Sequence, residues 1–139
     1  MKKLIMRILA LLVMPVVAQS VSPAYAGDAE LYIISPADGA QVTSPVLVQF
    51  GLRGMGVAPA GVEKPNTGHH HLLIDSPDLP ALNVPIPADT NHRHFGGGQT
   101  EVTLELLPGE HTLQLLLGDK AHIPHEPPLI SRQISITVH

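Results

Sequence analysis

Short runs of alternating apolar and polar residues recur along the chain, and turn residues separate them. Residues 45–52 place Val46, Val48 and Phe50 on one face, and residues 100–106 alternate in the same way. Successive side chains of a strand point to opposite faces, so this alternation predicts half-buried strands. Beyond residue 26 no window of helical length keeps a period of 3.6. The pattern therefore predicts an all-β fold.

Turn signals divide the chain into segments of the length expected for a sandwich. The 139 residues include 14 Pro and 12 Gly, which supply the turns between strands. Many short strands spaced by such turns are typical of an immunoglobulin-like antiparallel β-sandwich. In that fold the predicted strands are A (31–34), B (45–53), C (69–75), E (100–106), F (111–118) and G (131–138), with strand D within 79–90.

The first 26 residues have the layout of a secretory signal peptide. A basic start is followed by an apolar run over 8–18, and Ala24-Tyr25-Ala26 fits a small-x-small cleavage site. The apolar run is too short to span a bilayer. We therefore predict a signal peptide over 1–26 and one sandwich domain over 27–139. We expect a secreted, periplasmic protein with no membrane insertion after cleavage.

Composition narrows the chemistry of the exported domain. The chain has no Cys, which excludes disulfides, thiolate metal sites and blue-copper centres. After residue 26 the chain has twelve acidic and five basic residues, which gives a net charge of −7 with His neutral. An acidic domain repels nucleic acid and attracts cations, so no nucleic-acid partner is expected.

Histidine is abundant, with nine in the chain. In an immunoglobulin-type sandwich the B–C, D–E and F–G connections gather at one end. That connectivity brings together seven histidines, whereas His111 and His139 belong to the opposite end. His69 and His71 are two apart on strand C and share a side, and His70 points to the other.

Converging neutral imidazoles predict a metal site. Imidazole ligands without sulfur suit Cu(II) or Zn(II). Asp75, Asp119 and Glu126 are possible additional or supporting ligands. Such binding should weaken as the pH falls through about 6.5, where free imidazole becomes protonated. The candidate metal ligands are His69, His71, His92, His94, His122 and His125.

Two resemblances support the predicted fold and export. Residues 35–50 resemble the first two strands of bacterial immunoglobulin-like domains. The segments 68–75 (GHHHLLID), 94–101 (HFGGGQTE) and 108–113, with His122 and His125, resemble the exported bacterial family called domain of unknown function 4399. This resemblance implies export and a fold that covers nearly all of the chain after residue 26, and it implies no particular activity.

Three functions remain open from the sequence. The favoured one is a non-catalytic periplasmic carrier or buffer for copper or zinc, with a periplasmic protein partner left open. The second is a metal-dependent enzyme, because His69, His71 and Asp75 followed by His111 faintly resemble the metal motif of cupins. The third is an interaction module with incidental histidines. The position of His111 separates the first two, since the cupin-like alternative requires it beside His69 or His71.

Overall fold

A computed structural model describes residues 28–139, and the predicted signal peptide lies outside the described residues. Within residues 28–139 every regular element is a strand. Accordingly, this part of the chain contains no helix long and apolar enough to cross a membrane. The strands are β1 (Glu30–Ser35), β2 (Gln41–Val42), β3 (Val46–Arg53), β4 (Gly56–Val57), β5 (Thr67–Ile74), β6 (His92–His94), β7 (Glu101–Leu104), β8 (Gly109–Gly118) and β9 (Ile134–Val138).

The strands form two sheets. One sheet has three strands in the order β1-β3-β7, and both of its pairings are antiparallel. The larger sheet has the order β2-β9-β8-β5-β4, with β6 also paired to β5. Strands A, B and E thus share one sheet, and C, F and G share the other, as in an immunoglobulin-type sandwich. The predicted all-β sandwich is confirmed.

The main hydrophobic core lies between the sheets. The three-stranded sheet contributes Val48 and Phe50, and the larger sheet contributes Leu72, Leu113 and Leu115, all at most 4% exposed. These residues occupy every second position of their strands, as the alternating pattern predicts. Burial of one face of each sheet is the main force that holds the two together.

The outer face of the larger sheet is covered as well. Leu73 of β5 and Leu116 of β8 point away from the main core and pack against Ile86 of the long connection 75–91. The central strand β5 is therefore buried on both faces along nearly its whole length. This two-sided burial explains why its sequence is not amphipathic.

Strand D is the main correction to the predicted strand order. Residues 79–90 form turns and irregular backbone. Within the described residues, no fourth strand pairs with β7 in the three-stranded sheet. The segment instead lies over the larger sheet, where burial of Ile86 replaces strand pairing. The short strand β6 follows it and pairs with β5 on the side opposite β8.

Candidate metal site

Strand β5 presents two histidines on the outer face of the larger sheet. His69 and His71 are two residues apart, so their rings share this face, and they are 0% and 1% exposed. His70 between them points into the main core, with its ring centroid 5.2 Å from that of Phe50. The strand period thus sorts three consecutive histidines into a surface-side pair and a core residue.

His94 reaches the pair through strand pairing. In the antiparallel register of β5 and β6, His94 lies directly opposite His71. Its ring centroid is 5.0 Å from that of His71 and 5.1 Å from that of His69. Unlike the β5 pair, His94 is exposed, because β6 is a three-residue strand at the sheet edge.

His122 completes the group from the connection between β8 and β9. Its backbone has a φ of +66°, a left-handed conformation that is uncommon for a residue with a side chain. Asp119 holds this turn, since its Oδ1 accepts hydrogen bonds from the amides of Ala121 (2.8 Å) and Ile123 (2.9 Å). The His122 carbonyl accepts a further bond from Ile86 N at 2.8 Å.

The four side chains converge on one point. His69, His71, His94 and His122 each offer a ring nitrogen, and these nitrogens all lie within 4.8 Å of one another. His69 Nε2 is 3.1 Å from His71 Nε2 and 3.1 Å from His122 Nδ1. We call these four residues the histidine cluster.

The spacing of the cluster fits a first-row metal ion. Imidazole nitrogens bind zinc at about 2.0–2.1 Å, so two ligands of a tetrahedral ion lie about 3.3 Å apart. The two 3.1 Å separations are close to that value. Small ring movements would bring the remaining nitrogens, at most 4.8 Å apart, to ligand distance.

Hydrogen bonding alone does not satisfy these nitrogens. A neutral imidazole nitrogen holds either one proton or one lone pair, yet His69 Nε2 faces two other ring nitrogens at 3.1 Å. A cation would accept the lone pairs of all four rings together. The donor set, four imidazoles, is one that Cu(II), Zn(II) or Ni(II) favours.

Burial keeps the two central rings neutral. Burial and, to a smaller extent, the neighbouring imidazoles of His69, His94 and His122 together lower the pKa of His71 to about 3. Burial likewise lowers the pKa of His69 to about 4, with smaller contributions from His94 and His122. The pKa of His94 is also lowered, first by partial burial and then by His122. Neutral imidazole is the form that binds a metal.

A glycine makes room for the cluster. Gly118 ends β8 opposite His69, and a Cβ atom there would lie 2.9 Å from His71 Nε2. Any side chain at this position would therefore displace the His71 ring. The sequence pattern does not single out Gly118, because its role depends on which residue of β8 lies opposite His69.

Two of the predicted ligands lie outside the cluster. His92 is two residues before His94 and lies opposite Leu73, where its Nδ1 is 2.8 Å from Asp89 Oδ1. His125 contacts the carbonyl oxygen of Thr67 through Nε2 at 3.0 Å. The geometry therefore reduces the six candidate ligands to His69, His71, His94 and His122.

The three carboxylates proposed as additional ligands also lie outside the cluster. Within residues 28–139 the group that could hold an ion contains no carboxylate. Asp119 lies close enough to His69 to raise its pKa slightly and orders the turn that carries His122. Asp75 lies at the other end of β5, and Glu126 is exposed.

His111 and His139 lie far from the cluster. His111 Nδ1 is 2.7 Å from Asp75 Oδ2, and its Nε2 is 2.8 Å from the carbonyl oxygen of Leu107. It precedes Gly118 by seven residues on β8, a separation of about 23 Å along a strand. His139 contacts Gln41 at the same end. The cupin-like alternative required His111 beside His69 or His71, so it loses the residue on which it depended.

The comparisons with known proteins identify a family. Residues 48–139 match the family described as domain of unknown function (DUF4399). The chain belongs to this family, and the matched region contains all four residues of the histidine cluster. No curated protein and no solved structure matched the chain.

Proposed function

We propose that this domain binds one divalent transition metal ion, Cu(II) or Zn(II), through His69, His71, His94 and His122. It acts as a carrier or buffer of that ion in the periplasm, to which the signal peptide over 1–26 directs it. The role is one of binding rather than catalysis.

One observation carries the proposal: four imidazole nitrogens from three separate segments lie within 4.8 Å of one another. Two of these rings are buried, although desolvating a polar ring is unfavourable unless the ring gains a partner. A bound cation is a partner that all four rings can share. The net charge of −7 after residue 26 also attracts cations.

Titration of the metal-free protein tests the proposal. Residues 27–139, the chain without the predicted signal peptide, are produced without an affinity tag. They are titrated with Cu(II) and with Zn(II) by calorimetry. We expect one ion per chain, with micromolar or tighter affinity. His69→Ala/His71→Ala should lose this binding, because the variant removes both buried ligands.

A matched double variant provides the control. His92→Ala/His125→Ala removes two histidines that lie outside the cluster, so it should bind the metal as the unmodified protein does. No binding by the unmodified protein would refute the proposal and favour an interaction module. Equal loss of binding in both double variants would show that the cluster is not the site.

A further inference from the structure

The four rings of the histidine cluster differ strongly in access to solvent. His69 and His71 are at most 1% exposed and lie on the central strand β5, which is paired on both sides. His122 is partly buried in a turn held by Asp119. His94 alone among the four is exposed.

The strand that carries His94 is also short. Strand β6 contributes three register pairs, whereas β5 and β8 share six. Buried Phe95 and then Gly96, Gly97 and Gly98 follow, and His94 packs against Gly96, where a side chain would collide with its ring. Two buried rings thus form a fixed base, and His94 closes the site from the solvent side.

Residues 60–61 lie beside the cluster and are held by two backbone hydrogen bonds. Ala60 N donates to Gly96 O at 2.8 Å, and Gly61 N donates to Lys120 O at 2.9 Å. The segment therefore joins the glycine loop after His94 to the turn that holds His122. The sheet lies behind His69 and His71 and blocks that direction. An incoming ligand must therefore reach the ion from the side of exposed His94.

We propose that His94 is the exchangeable ligand of the metal site, and that the ion leaves when a donor group of a recipient replaces His94. This inference rests on the proposed metal site. The recipient is a molecule that carries its own metal-binding groups, and it attacks on the exposed side while His69, His71 and His122 still hold the ion. No bond other than the metal–ligand bonds is formed or broken.

Transfer kinetics test this inference with Cu(II) as the ion and EDTA as the recipient. The loaded protein is mixed with excess EDTA, and loss of the Cu(II)-imidazole absorption is followed by stopped flow. Attack on the bound ion predicts a rate that rises linearly with EDTA concentration. A rate that does not depend on EDTA concentration would mean that the ion leaves unaided, and it would overturn the inference.

Variants separate the roles of the exposed and buried ligands. Water can replace the exposed ring, so His94→Ala should lower Cu(II) affinity only about tenfold and speed transfer by about the same factor. His71→Ala should cost about 100-fold or more, because its site is closed to water. His92→Ala, on the same strand but outside the cluster, should change neither quantity.

The outcomes distinguish the two proposals. If the unmodified protein binds no metal, both the metal site and this inference fail. If it binds metal but His94→Ala and His71→Ala lower affinity equally and transfer is not faster in His94→Ala, only the inference fails. The EDTA dependence is measured on the unmodified protein, so the test holds even if His71→Ala does not fold.

Discussion

At the scale of single residues, burial decides the protonation of His69 and His71. From the pattern of histidines alone, binding was expected to weaken below about pH 6.5, the pKa of free imidazole. Burial instead lowers the pKa of His69 to about 4 and that of His71 to about 3. Protons therefore compete for these ligands only in more acidic solution than the sequence implies.

The pH dependence of metal binding follows from these pKa values. Between pH 7.5 and pH 5.5 we expect Zn(II) affinity to fall by less than about tenfold, because His69 and His71 remain neutral over this range. Calorimetric titration at pH 7.5, 5.5 and 4.0 measures it, with free imidazole in solution as the reference. A loss of 100-fold or more by pH 5.5, about 1 unit below 6.5, would show that the rings behave as exposed imidazoles.

Asp119 offers a second test at this scale. Asp119→Ala removes the acceptor that holds the Ala121 and Ile123 amides, so the left-handed turn at His122 should loosen. We expect about tenfold weaker metal binding and a loss of about 1–2 kcal/mol in unfolding free energy.

Asp119→Asn is the matched control. It removes the same charge but keeps an oxygen that can accept both amide hydrogen bonds. Calorimetry and urea unfolding should therefore show it close to the unmodified protein. If the two variants weaken binding equally, the charge of Asp119 matters rather than the turn.

At the scale of elements, the site depends on how β5, β6 and β8 are aligned. The antiparallel register sets His94 opposite His71, and Gly118 opposite His69. A side chain on β8 at this point would occupy the volume of the His71 ring. The proposed metal site therefore depends on three neighbouring strands and on the turn that carries His122, and not on one histidine-rich segment.

Gly118→Ala tests this alignment. Its Cβ would lie 2.9 Å from His71 Nε2, so the ring must move. We expect about tenfold or greater loss of metal affinity and a cost of about 1–3 kcal/mol in stability. Gly56→Ala is the control, since its Cβ would meet Thr67 at an ordinary 3.4 Å. Equal effects of the two variants on metal affinity would contradict the proposed role of Gly118.

The elements also show what the sequence could predict. The period of two placed His69 and His71 on one face and His70 on the other, because that alternation is local. The choice of His94 over His92 depends on the register of β6 against β5, which pairs residues 19 to 23 positions apart. His125 is a reasonable candidate by position, but its ring contacts the carbonyl oxygen of Thr67 instead of the cluster. The prediction of strand D was wrong, because residues 79–90 cover Leu73 and Leu116 instead of pairing as a strand.

At the scale of the whole molecule, the two ends of the larger sheet respond to pH in opposite ways. At the cluster end, burial lowers histidine pKa values, so the unfolded chain binds more protons and stability falls as the pH drops below 6.5. At the far end, the hydrogen bond to Asp75 raises the pKa of His111. The stability that this raised pKa contributes is fully present below pH 6.5, and it is lost as the pH rises through the pKa of folded His111.

Asp75→Asn separates the two ends. The variant should lose more unfolding free energy at pH 5 than at pH 9, because charged His111 gains from the carboxylate only at the lower pH. Urea unfolding of the metal-free protein at both pH values measures the difference. Asp78→Asn makes the same charge change at an exposed residue outside the pair and should be nearly neutral at both. A larger loss at pH 9 would reverse the sign argued here.

The three consecutive histidines of β5 also limit how the strands can slide. A slip of one residue would exchange the faces of the strand, turning His69 and His71 toward Phe50 and His70 outward. Two polar rings would then lie in the main core, and the outer face would keep one ring in place of two. A slipped sheet would thus lose both the core and the cluster. An ion that binds only the correct alignment would favour it during folding, so His69, His70 and His71 would together disfavour a misaligned sheet.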